Sequence, residues 1–162
     1  MAEAEVTQIS LFDYPMPLYD ADHDIVSGAP PNAVKLKRMI AAHKGVFIAS
    51  PEYNASISPL LKNTIDWVSR VQERGDQPYA AFRDRVFALG AASPEPLGGA
   101  RGLFALRQVL ELGCGALVIP EQIVVPNAET AFDDLDNLKD ARQANELKTL
   151  ARRLVEVAQQ LS

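Results

Sequence analysis

Short apolar runs that alternate with longer segments of helical period constrain this chain more than any other feature of its sequence. The runs are residues 6–12 (VTQISLF), 45–49 (GVFIA), 85–90 (RVFALG) and 116–119 (ALVI), the last resuming at 122–125 (QIVV). Residues 45–49 are hydrophobic without a break, as expected for a parallel strand covered on both faces. The intervening segments carry apolar stripes: Ala33, Leu36, Met39 and Ile40; then Leu60, Leu61, Thr64, Ile65 and Val68; then Leu103, Leu106 and Leu110. A last helix is expected from about Asp133, with Leu147, Leu150, Leu154, Val157 and Leu161 inward. Each parallel connection needs a crossover, so this alternation predicts an α/β fold, an open parallel sheet with helices on both faces. Residues 15–31 read as a proline-rich loop, and no repeat or linker divides the 162 residues into more than one domain.

Composition removes several function classes. A formal net charge of -5 and a pI of about 5.0 disfavour wrapping around phosphate backbones, which argues against nucleic acid as a partner. The apolar runs fall far short of the roughly 20 residues that span a bilayer, so no membrane partner is expected. The acidic start, Met1 to Glu5, is unlike a signal peptide, and a cytoplasmic location is the expectation. Cys114 is the only cysteine, which excludes an intrachain disulfide, and its place between a helix exit and an apolar run predicts a buried, inert thiol. His23 and His43 are too few and too far apart for a zinc site, so no metal is expected.

Open α/β sheets bind ligands beyond the carboxyl ends of their strands. Two loops stand there. The first follows the run 45–49 and reads SPEYNASISP; Pro51 can hold the backbone extended, Tyr53 can lie against a flat ring, and Asn54 offers donor and acceptor. The same residues also fit a capped turn, with Ser58 as the N-cap and Pro59 as the first residue of the next helix. The second loop, from Ser93 to Gly99, has paired glycines at Gly98 and Gly99 that permit close approach of a ligand or simply form a turn. Glu52 and Asp66 are the nearest carboxylates, and neither has an evident proton-transfer partner in sequence. Trp67 is expected in the core.

Residues 50–70, SPEYNASISPLLKNTIDWVSR, resemble the signature of the NAD(P)H-dependent FMN reductase family, flavodoxin-like flavoproteins that include quinone, azo-dye and chromate reductases. Residues 12–20 and the stretch from Ala92 through Gly99 to Arg101 are similar to further family segments. The resemblance implies a flavodoxin-like three-layer sandwich. It also implies FMN as cofactor, with its isoalloxazine ring along Pro51, Glu52, Tyr53 and Asn54 and with Ser93, Gly98 and Gly99 approaching the same ring. NADPH or NADH is implied as co-substrate. The reaction implied is hydride transfer to the flavin and then electron transfer to a quinone, free flavin, azo compound or metal oxyanion, with no catalytic side chain. A homodimer or homotetramer is implied, with the helix after Ser58 near the subunit contact.

The resemblance also implies an earlier strand and a Gly-Ser-x-Arg-x-x-Ser phosphate loop, and no such motif occurs in this sequence. The first of the usual five strands is therefore expected to be missing, and weak or no FMN binding is expected of these 162 residues. Competing readings are a non-catalytic shortened relative acting through subunit association, its sheet edge completed by a partner, and a small-ligand module without redox function.

Overall fold

The structure is a computed structural model and describes residues 4–161; Met1, Ala2 and Glu3, part of the acidic start, lie outside them. After a 3-10 turn at Leu11–Asp13 come α1 (Ala21–Ser27), α2 (Pro31–Ala41), β1 (Gly45–Ala49) and a small hairpin of β2 (Glu52–Tyr53) and β3 (Ser56–Ile57). There follow α3 (Pro59–Arg70), β4 (Val86–Ala92) and α4 (Ala100–Arg107), which widens into a π-helical stretch, Gln108–Gly113. The chain ends with β5 (Leu117–Val125), α5 (Ala128–Ala131) and α6 (Ala141–Gln160).

Strands β1, β4 and β5 form one parallel sheet in the order β1-β4-β5. Alternation along β4, buried from Val86 to Ala91, explains the three layers. Phe87, Leu89 and Ala91 pack with Leu61, Ile65 and Val68 of α3 and Leu103 and Leu106 of α4, whereas Val86 and Ala88 pack with Leu150, Leu154 and Ala158 of α6. Trp67, fully buried, fills the seam between α2 and α3 with Ala33 and Val71, and its indole N–H donates to the Pro17 carbonyl at 2.7 Å. Lys37 of α2 is buried but paired with Glu73 at 2.9 Å and Asp76 at 2.5 Å, so its charge is compensated.

Pairing of β4 with β5 slips midway: Phe87 faces Val118 but Leu89 faces Gln122. Pro120, which has no N–H to give the ladder, sits in the interruption. There the Arg107 guanidinium donates to the carbonyls of Ile119, at 2.7 Å, and Pro120, at 3.0 Å. This is the physical basis of the apparent break between 116–119 and 122–125.

Three expectations are corrected. Residues 6–12 are not a strand: a strand requires a neighbour, among the described residues β1 is paired only with β4, and Val6 and Phe12 are more than four-fifths exposed. The segment is held instead by Thr7 against the His43 ring at 3.0 Å and by closure of the Leu11–Asp13 turn. The loop expected over 15–31 contains α1, which Asp20 caps by accepting from the Asp22 and His23 amides. The last helix begins at Ala141, not near Asp133. One carboxylate oxygen of Asp133 closes a turn by accepting from the Leu135 and Asn137 amides, and Asp140 caps α6 through Arg142 and Gln143.

Candidate functional site

The carboxyl ends of β1, β4 and β5 lie along one edge of the sheet, and both suspected loops leave from it. The Ser50 N–H continues the ladder to the Gly90 carbonyl at 3.0 Å, and the Ser93 N–H does so to Val125 at 3.0 Å.

Beyond β1 the chain folds back at once. Glu52 pairs with Ile57 and Tyr53 with Ser56, leaving Asn54 and Ala55 as the two turn residues. Both have positive φ, +50° and +63°, as a type I′ hairpin requires. Ile57 is buried in the main core and anchors the base, while Pro51, Asn54 and Ala55 are exposed and Tyr53 is 55% exposed. The Ser58 hydroxyl accepts from the Leu61 N–H at 3.2 Å, so the capped-turn reading holds for Ser58. It does not hold for Asn54, which stands at the tip. Pro51 also borders an apolar recess of about 290 Å³, on the α6 face, whose walls include Phe47, Ala92, Ile123 and Leu147.

The loop after β4 behaves differently. Ser93 is buried, its hydroxyl accepting from the Glu95 N–H at 3.2 Å and its carbonyl from the Ala128 N–H at 3.0 Å. Gly98 and Gly99 are buried with φ of +59° and +91°. A Cβ on Gly99 would fall 2.5 Å from the Ala91 Cβ, and one on Gly98 would fall 2.8 Å from the Pro126 nitrogen. These glycines let the loop close against its own strands.

Glu52 joins the two regions. Its side chain is 5% exposed and is ion-paired with Arg101, whose Nε donates at 2.7 Å, while the Gly102 N–H donates to the other oxygen at 3.1 Å. Burial pushes the carboxyl upward, but the Arg101 and Gly102 hydrogen bonds and the Arg101 charge outweigh it and hold the group below the ordinary glutamate range. Sequence reading gave Arg101 and Gly102 no role. A signal was present: a cation in the first turn of a helix opposes the dipole and invites a carboxylate partner.

The remaining candidates are structural. Asp66 pairs with Lys62 one turn earlier on α3. Cys114 is buried, and burial, then the nearby Asp66 charge, pushes its thiol up to about 11, consistent with the expected inert thiol. Among the described residues no cluster of three potential metal ligands occurs, and no helix is long and apolar enough to cross a membrane.

Residues 1–130 match the family described as NADPH-dependent FMN reductase. The chain belongs to that family. A quinone reductase of Escherichia coli (strain K12) is 41% identical over 95 residues, 59% of this chain and 47% of that protein. An NAD(P)H-dependent FMN reductase of Pseudomonas aeruginosa is 37% identical over 126 residues, 77% of this chain and 64% of that protein. Among solved structures, the flavoenzyme NAD(P)H:(acceptor) oxidoreductase FerB of Paracoccus denitrificans superposes with a TM-score of 0.73 at 25% identity, over 93% of this chain and 78% of that one. The fold is flavodoxin-like α/β, as expected, here with three parallel strands. The chain spans about half the length of the E. coli family member and 64% of the P. aeruginosa one.

Proposed function

We propose that the protein is a flavin-dependent NAD(P)H oxidoreductase of the FMN reductase type, with a quinone as acceptor. The observation that carries this reading is the hairpin 52–57 at the carboxyl end of β1: its tip turns outward with Tyr53, Asn54 and Ala55 exposed, in a chain of this family. The names of the E. coli relative and of a Burkholderia relative, a 2-hydroxy-1,4-benzoquinone reductase 40% identical over 48% of this chain, support a quinone over the other acceptors.

The hairpin suits the ring of FMN. Pro51 and Tyr53 give apolar and aromatic surface, the Asn54 amide matches ring carbonyls and nitrogens, and the exposed turn leaves main-chain groups within reach. Ser93, Gly98 and Gly99 would shape the opposite wall by fixing the backbone. When bound, FMN supplies two-electron chemistry, taking a hydride from a reduced nicotinamide and passing electrons to the acceptor. The residues of the chain bind and orient, and none of their side chains is needed as a proton donor.

The test is fluorescence titration of FMN and of lumiflavin, which is the ring without its phosphate, followed by NAD(P)H oxidation with FMN and a benzoquinone. The sequence lacks the phosphate motif, so the expected result is comparable affinity for the two flavins and quinone-dependent NAD(P)H oxidation. Failure to bind either flavin, together with no NAD(P)H oxidation, overturns the reading.

A further inference from the structure

Beyond this reading, but resting on it, we infer that Glu52 is a positioning residue whose carboxylate, bound to Arg101 and the Gly102 N–H, fixes the ring-facing hairpin against α4. Both oxygens are engaged, one by the Arg101 guanidinium and the other by a main-chain amide of the first turn of α4, and the side chain is 5% exposed. No lone oxygen is left turned to a ligand, so Glu52 is not a ring contact through its side chain.

Three further facts show that the tie sets a distance. Gly102 lacks the Cβ that would stand 3.2 Å from the Ser56 carbonyl and 3.3 Å from the Glu52 Cβ, so the helix and both strands of the hairpin meet at van der Waals range. The hairpin is only two residue pairs long, too short to hold its own shape in water. Finally, α4 begins directly after Gly99, whose own position is fixed against Ala91 of β4. Glu52 therefore transmits the rigid end of β4, through the start of α4, to a tip that is otherwise free. A flat ligand lying on Tyr53 and Asn54 binds an ordered surface only while that chain of contacts is closed.

The inference is tested on the full chain with Glu52→Ala, Glu52→Gln and Arg101→Lys. Two measurements are made: amide hydrogen exchange across 52–57, with β4 as internal reference, and lumiflavin affinity by fluorescence. Expected for Glu52→Ala is exchange at 53–56 faster by about tenfold, with β4 unchanged, and lumiflavin affinity lower by about tenfold. Glu52→Gln, which keeps an acceptor for the Gly102 N–H, and Arg101→Lys, which keeps the charge, should each recover part of both losses. Unchanged exchange at 53–56 overturns the inference, because the hairpin then needs no tie. Faster exchange with unaltered lumiflavin affinity also overturns it, because the tie is then structural only. If the unsubstituted chain binds neither flavin and oxidises no NAD(P)H, the functional reading fails, and the ligand half of this inference fails with it. That outcome is distinguishable because it needs no variant.

Discussion

In the hairpin 52–57 the residues at positive φ, Asn54 and Ala55, stand at an exposed tip, whereas in the loop 93–99 the residues at positive φ, Gly98 and Gly99, are buried against the ends of β4 and β5. Both loops leave the same edge of the sheet, and both use left-handed backbone, which costs an ordinary residue about 1 kcal/mol or more. At the tip a side chain projects into solvent and only that strain is felt. At the buried loop a side chain meets backbone and strand as well. One segment meets solvent at its left-handed residues, and the other meets the strands beneath it.

The comparison breaks most readily at Gly99. Gly99→Ala adds a methyl where Ala91 already stands, on a left-handed residue, so a loss of about 2–4 kcal/mol in unfolding free energy is expected. Urea denaturation with an unchanged slope would show it as a shifted midpoint. A loss below about 1 kcal/mol would mean that the loop can move away from β4 and is not closed against it.

The two serines give a smaller contrast. Ser58→Ala removes the N-cap of α3 and should cost about 1 kcal/mol, because the buried Leu61 N–H loses its acceptor. Ser93→Ala removes one turn bond to the Glu95 N–H and should cost about 0.5 kcal/mol, since the main-chain bonds to Val125 and Ala128 remain. Equal losses would remove the distinction between a hydroxyl that starts a helix and one that trims a loop.

Acid separates the loops by charge. The Glu52 carboxyl is held below its unfolded value of about 4.3, so its contribution is fully present above that value and is lost as pH falls through the folded pKa. The second loop is held by main-chain bonds that do not titrate in that range. NMR of the Glu52 side-chain carbon should give a midpoint below about 4.3 and carry the Tyr53 and Asn54 amides with it, leaving Ser93 still. Arg101→Ala should raise the midpoint. An unmoved midpoint in that variant would mean that Arg101 does not hold the carboxylate.

Much of this was legible in the residues, for identifiable reasons. Continuous apolar runs marked β1 and β4, and Ser58-Pro59 marked the start of α3 to the residue, because capping is local. Strand formation is not local: 6–12 has strand composition and no strand beside it, and composition alone cannot reveal a missing neighbour. Asp133 looked like a helix start because acidic residues favour that position, but Asp140 made the cap and Asp133 a turn. At the site, Pro51, Tyr53 and Asn54 are exposed at or beside the hairpin tip, while Gly98 and Gly99 are buried. The glycine pattern is the same for a ligand or for the protein's own backbone in the space, and only coordinates distinguish the two. The family resemblance sets Glu52 beside the ring, and its link to Arg101, which crosses 49 positions, lies beyond any periodicity.

An effect as small as that at Ser93 has the opposite sign and uses the reverse substitution. Ala55→Gly at the hairpin tip relieves roughly 1–2 kcal/mol of left-handed strain and gives the Asn-Gly pair that type I′ turns favour. The added freedom of glycine in the unfolded chain offsets about 0.5–1 kcal/mol of that. No packing is lost, because Ala55 is exposed, so a net gain of about 0.5 kcal/mol is expected in the same urea experiment. Paired with Gly99→Ala, it asks one question of two places: whether a left-handed residue is limited by its own backbone or by its surroundings. A loss from Ala55→Gly as large as that from Gly99→Ala would show that the tip, too, is packed against something. The hairpin would then be a second closed loop instead of an open surface.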